Sequence, residues 1–177
     1  MEKLFSDSET FTKERPKKIT AAQEVRLRKD ISKDIVKNNF SSSPLEDIIA
    51  DISQFTFFES GFENAKSLES YRMVANYDFT PSFIEFLDDL DWMKRRVLKK
   101  NIQEWVLAHN PQPKFIKGQR LVIESMFSQY RKTGEEVFVT GIKEKDACYL
   151  IHADEKFKGG TVIPYEKVEA NCKASIA

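Results

Sequence analysis

Apolar positions recur with a helical period in most segments between about residues 21 and 109 and with a period of two after 117, so the chain reads as helices followed by strands. Thr20 followed by Gln23 is a capping-box pattern, and Ala21 and Ala22 favour initiation of a helix over 21–38. Its apolar positions Val25, Leu27, Ile31, Ile35 and Val36 form a narrow stripe crowded by Arg26, Arg28, Lys29, Lys33 and Lys37. Weak packing, or docking on a partner, is expected of such a helix. The break FSSSP at 40–44 places Ser43 to cap a short helix with Pro44 in its first turn, running over Leu45, Ile48, Ile49 and Ile52. The run QFTFF at 54–58 reads as extended or as an aromatic plug that Gly61 ends, and 64–76 as another helix through Leu68, Tyr71 and Val74. Thr80 and Pro81 open the next, with Ser82 and Glu85 as a second capping signal and Phe83, Ile84, Phe86, Leu87 and Leu90 as its apolar side. The strongest helix spans 91–108. Met93, Val97, Leu98, Ile102, Trp105 and Val106 share one side of it, while Arg95, Arg96, Lys99 and Gln103 share another.

The segment NPQP at 110–113 stops that helix and reads as a linker. Strands are then expected at 118–124 (GQRLVIE), 136–142 (EVFVTGI), 147–152 (ACYLIH) and 161–164 (TVIP), with a single helical turn over 165–168. Strands this short do not make a stable flat sheet, so a curled barrel is the economical solution. Gly141 inside the second strand suits a bulge or sharp bend. The fold class is therefore α+β: an arm over 1–18, a helical region over 19–109, a linker over 110–114, a barrel over 115–170 and a tail over 171–177. A flexible arm is expected because 1–18 is polar, with Lys17 and Lys18 beside Pro16.

The glycines and rhythm of KGQRLVI at 117–123, TGEEVFVTGI at 133–142, YLI at 149–151 and VIPYEKV at 162–168 resemble an SH3-like barrel. The segment is similar to the KOW-type and Tudor-like members, in which a glycine opens the first strand and a short helical turn follows the fourth. The resemblance covers about 55 residues and implies fold more than function, since such barrels bind nucleic acid, proline-rich peptides, ribosomal surfaces or other proteins. The helical region resembles no particular family.

Composition adds what pattern does not. Of 177 residues 41% are hydrophobic and 32% charged, with fourteen Phe and two Trp, which is enough large apolar surface to build cores. The two cysteines, Cys148 and Cys172, have no CxxC spacing and read as reduced thiols. The opening MEKLFSDSETF lacks a signal-peptide apolar run and no segment suggests a membrane span, so a cytoplasmic protein without membrane association is expected. The net charge of zero hides segregation. Residues 13–38 carry nine Lys/Arg against four Asp/Glu, residues 41–91 two against eleven, and residues 92–117 seven against one, while 118–177 balances at nine of each.

Candidate chemistry is sparse. His109 and His152 have no second His or Cys at ligand spacing, and GxGxxG, P-loop, GxSxG and HExxH patterns are all missing. Asp88, Asp89 and Asp91 could hold a metal, but their place beside a basic helix fits capping and charge pairing better. No catalytic residue, metal or cofactor is expected, and the chain reads as a binding protein, not an enzyme. Basic residues along one helix beside a small barrel read in two ways: as internal charge pairing with the acidic stretch 41–91 that precedes them, or as an electrostatic footprint for DNA or RNA. On the second reading Arg95, Arg96, Lys99, Lys117, Arg131 and Lys132 contact phosphates, and Tyr130 or Phe157 lies against a base or sugar. Tyr165, also beside a loop, is a further aromatic candidate. The alternative is a protein-interaction adaptor, of the kind found among viral or bacterial accessory proteins, in which the barrel or the helix over 21–38 docks on a partner protein and the acidic stretch 41–91 supplies complementary charge.

Overall fold

The computed structural model describes residues 14–57, 60–70, 74–125 and 133–175. Among the described residues five α-helices and five strands follow one another as α1 (Ala21–Lys37), α2 (Leu45–Gln54), α3 (Gly61–Ser70), α4 (Pro81–His109), β1 (Arg120–Ile123), β2 (Glu136–Lys143), β3 (Cys148–His152), β4 (Thr161–Pro164), α5 (Tyr165–Asn171) and β5 (Cys172–Ala174), with a 3-10 turn at Glu144–Asp146 between β2 and β3. Helices fill the N-terminal part and an antiparallel sheet the C-terminal part, as an α+β chain requires. The chain forms two compact units, one of Pro16–Asn101 and one running from Ile102 onward with Arg15. The division falls inside α4 and not at 110–114, because Trp105 on the last turns of the helix is buried in the core of the sheet unit.

In the helical unit the capping box forms as its residues dictate. Thr20 Oγ1 accepts the Gln23 N–H at 3.2 Å, and Gln23 Oε1 accepts the Thr20 N–H at 3.1 Å. The same Gln23 amide exchanges two hydrogen bonds with Asn101 of α4, at 2.9 and 2.8 Å, so the start of α1 is fastened to that helix. The narrow stripe of α1 does not mean weak packing. Ile31 and Ile35 are fully buried with Ile48 and Ile52 of α2 in one core, and Arg28 adds hydrogen bonds to the Ile52 and Phe55 carbonyls at 2.5 and 2.6 Å. Val25 and Val36 are left outside. Helix α2 begins after Pro44, and Ser43, expected to cap it, instead accepts the Asn76 N–H through Oγ at 2.8 Å.

Gly61 opens α3 and does not end the segment before it. A Cβ there would overlap the Ile84 carbonyl and lie 2.8 Å from the Asp88 nitrogen, so only glycine lets α3 approach α4 this closely. The helix expected to open at Thr80 and Pro81 and the one expected over 91–108 are one continuous helix of 29 residues. Asp88 and Asp91, read as marking its start, lie mid-helix and are used laterally.

The sheet has the order β4-β3-β2-β1-β5. Its β2–β3 ladder shifts register between Val139 and Gly141, the irregularity that the glycine signals. Val137 and Val139 face the core, with Leu121, Ile123, Tyr149, Ile151, Tyr165 and Val168. Residues 172–174, expected in a tail, form β5 and pair antiparallel with β1, Ile123 opposite Cys172. Among the described residues the ladder is open, with β4 and β5 at its two edges.

Candidate nucleic-acid interface

From Trp92 to Gln103 the sequence of α4 contains Lys94, Arg95, Arg96, Lys99 and Lys100 and no acid. Helical spacing divides these residues. Asn101 is buried against α1, and Lys94, two turns earlier on the same side, reaches Glu24 of α1 at 4.0 Å. The Arg28 guanidinium on Glu24 is the main cause holding that carboxyl below its ordinary range, with Lys94 adding to it. The opposite side of α4 carries Trp92, Arg95, Arg96 and Lys99, all exposed, with Lys100 exposed at its rim. Arg95 pairs with Asp91 one turn back at 2.5 Å, yet its side chain stays 65% exposed. A surface pair of this kind is worth little and is readily exchanged for another anion. Arg96 lies over the Trp92 ring, its guanidinium carbon 4.5 Å from the ring centroid. The indole is 54% exposed.

Trp92 was missed by sequence reasoning because it sits in no apolar stripe. Its place four residues before Arg96 is the signal that would have found it. The acid cluster is dispersed: Asp88 accepts the Gly61 N–H, Asp91 binds Arg95 and Asp89 points to solvent. Among the described residues no group of His, Cys, Asp or Glu is placed to hold a metal ion.

The sheet unit holds the other candidates. Lys117 is exposed in the turn before β1, where Gly118 takes a φ of 86°. Phe157, 50% exposed in the β3–β4 loop, stacks on His152 with centroids 4.1 Å apart, flanked by exposed Lys156 and Lys158. Thr140 of β2 donates to the Gly159 carbonyl, and Gly160 allows the close return onto Ile151, where a Cβ would lie 2.8 Å from the carbonyl oxygen. Tyr165 is not a loop-borne ligand contact: it is buried, its ring 4.6 Å from that of Tyr149. Tyr130, Arg131 and Lys132 lie outside the described residues. Arg15, in the expected arm, donates to the Ala147 carbonyl at 3.0 Å and to Cys148 Sγ at 3.3 Å, and no sequence pattern pointed to it. No helix among the described residues is long and apolar enough to cross a membrane.

Comparison with protein-family models, with characterised proteins and with solved structures finds no match for this chain.

Proposed function

We propose that this chain is a non-enzymatic nucleic-acid-associated regulatory protein whose principal phosphate contacts lie on α4. The observation that carries the reading is the outward side of that helix, where Arg95, Arg96, Lys99 and Lys100 are exposed in an acid-free run beside an open indole. Clustered cations of this kind gain binding energy by releasing counterions from a polyanion, and an aromatic ring among them adds a surface for bases. In the sheet unit, Lys117 and the Phe157 loop are the second group of contacts. An SH3-like barrel for that unit is supported by the strand order β4-β3-β2-β1-β5 and by a short helix between the fourth and fifth strands.

The test is binding to a fluorescent oligonucleotide across salt. Three to four phosphate contacts predict a log–log slope of about −2 to −3 for a single strand. The triple charge reversal Arg95→Glu, Arg96→Glu, Lys99→Glu should abolish binding at physiological salt. Affinity that is flat between 50 and 200 mM salt, taken as roughly a fourfold range, or insensitive to the triple reversal, overturns the proposal.

The adaptor reading keeps one specific support. Trp and Arg stacked on an exposed surface, as Trp92 and Arg96 are, form the pair of residue types that most often anchor protein interfaces. A stoichiometric protein complex that survives nuclease treatment and is lost on Trp92→Ala would favour it.

A further inference from the structure

The outward side of α4 also restricts the form of nucleic acid it can take, an inference that rests on the reading above and sharpens it. Side chains that read base edges in a duplex groove with fixed geometry are chiefly Asn and Gln amides and guanidinium forks, while lysines reach guanine as flexible point charges. The two amides of this part of α4 are both committed within the protein. Asn101 is buried in its reciprocal pair with Gln23, and Gln103 donates to Asp146 Oδ1 at 3.0 Å. The guanidinium of Arg96 lies over the Trp92 ring, its carbon 4.5 Å from the centroid, and that of Arg95 pairs with Asp91 at the surface. What remains outward is mostly charge on flexible lysines and one aromatic ring, a set poor in fixed base-edge readout.

Trp92 decides between duplex and single strand. Within a duplex every base face is covered by its neighbours, so an open indole finds nothing to stack on except at an end. On a single strand each base offers a free face, and every base is acceptable because all have π-surfaces. Arg96 packed along the ring holds it in place and brings a cation next to the phosphate of a base stacked there. From Trp92 to Lys100 the helix advances about 12 Å, the span of two to three nucleotides of extended strand. We infer that the Trp92–Arg96–Lys99 side of α4 is a stacking site for single-stranded nucleic acid, indifferent to base sequence.

The experiment compares a fifteen-nucleotide oligo(dT), a mixed-sequence strand of equal length and a fifteen-base-pair duplex on the full chain, at one salt concentration. Oligo(dT) and the mixed strand should bind alike, and each roughly tenfold or more tighter than the duplex. Trp92→Ala should weaken single-strand binding about tenfold or more while Trp92→Phe retains most of it. In a Trp105→Phe background, the remaining Trp92 fluorescence should be quenched by oligo(dT). Duplex binding as tight as single-strand binding, or a Trp92→Ala variant with unchanged affinity, overturns this inference and leaves the proposed nucleic-acid function standing. No salt-sensitive binding to any of the three overturns both.

Discussion

The Asp51 carboxylate accepts the Ala75 backbone N–H at 2.9 Å, joining α2 to a segment 24 residues further along the chain. Its other oxygen accepts the Val74 N–H at 3.0 Å, and the Tyr77 hydroxyl donates at 3.2 Å to the oxygen that Ala75 uses. One buried acid therefore satisfies the backbone of the turn that leads into α4. Burial and this neighbouring carboxylate both push the Tyr77 hydroxyl pKa well above its ordinary value. Asp51→Ala strands two N–H groups and is expected to cost about 3 kcal/mol, while Asp51→Asn, which keeps one acceptor, costs about half of that. Urea unfolding with an unchanged m-value measures both. Equal stabilities for the two variants would show that the turn is held by something else.

The sheet unit offers a paired comparison between two buried tyrosines. The Tyr149 hydroxyl donates to Glu169 at 2.7 Å and accepts the Phe115 N–H at 3.0 Å, whereas the Tyr165 hydroxyl is buried with no partner among the described residues. Tyr149→Phe is expected to destabilise by about 1–3 kcal/mol because it leaves the Phe115 N–H unsatisfied. Tyr165→Phe removes a hydroxyl that gains nothing from burial, so its stability should match or slightly exceed that of the wild type. Thermal unfolding of the two variants side by side checks the ordering, and a larger loss at Tyr165 contradicts it.

Cys172 sets a pH window for stability. Burial first, and the Glu124 carboxylate second, push its thiol from 9.0 up to about 11. Below pH 9 both folded and unfolded chains keep the proton, so the thiol adds no slope. Between pH 9 and about 11 the unfolded chain loses it first, and stability falls as pH rises. The unfolding free energy of the wild type should therefore decline more steeply across that window than that of Cys172→Ala. Parallel pH profiles would rule out a perturbed thiol there.

Local signals in the sequence were legible and tertiary ones were not. The capping box at Thr20 and Gln23 and the irregularity at Gly141 each depend on a few neighbouring residues, and both form where expected. Gly61 reads locally as a terminator, but its role is set by Ile84 and Asp88, more than twenty residues on. The acids at 88–91 suggest a helix start, while in the fold Asp88 serves α3 and Asp91 serves Arg95. Strand β5 is three residues long and exists because β1 offers an edge, a contact across fifty residues of chain that no period reveals. At the candidate site helical spacing grouped Arg95, Arg96 and Lys99 on one side, but their exposure was not legible, because spacing does not tell whether that side meets solvent or the acidic stretch 41–91. Nor was the indole beside them, because an isolated Trp on a polar face carries no periodicity.

That indole allows a check on the candidate surface that needs no ligand. The chain has two tryptophans, and they occupy opposite environments: Trp92 is 54% exposed under Arg96, and Trp105 is 8% exposed in the sheet-unit core. Iodide quenches an indole only on collision, so Trp105→Phe, which leaves Trp92, should retain strong quenching, and Trp92→Phe should lose most of it. The adjacent cations sharpen the contrast, because they concentrate the iodide anion near Trp92 and not near Trp105. Raising ionic strength with chloride at fixed iodide should therefore weaken quenching of Trp92, and the triple reversal at Arg95, Arg96 and Lys99 should weaken it further. A neutral quencher such as acrylamide should show the exposure difference without the salt effect. If acrylamide and iodide behave alike at Trp92, the side chains around it do not form a positive surface, and the basis for placing nucleic acid on α4 is lost.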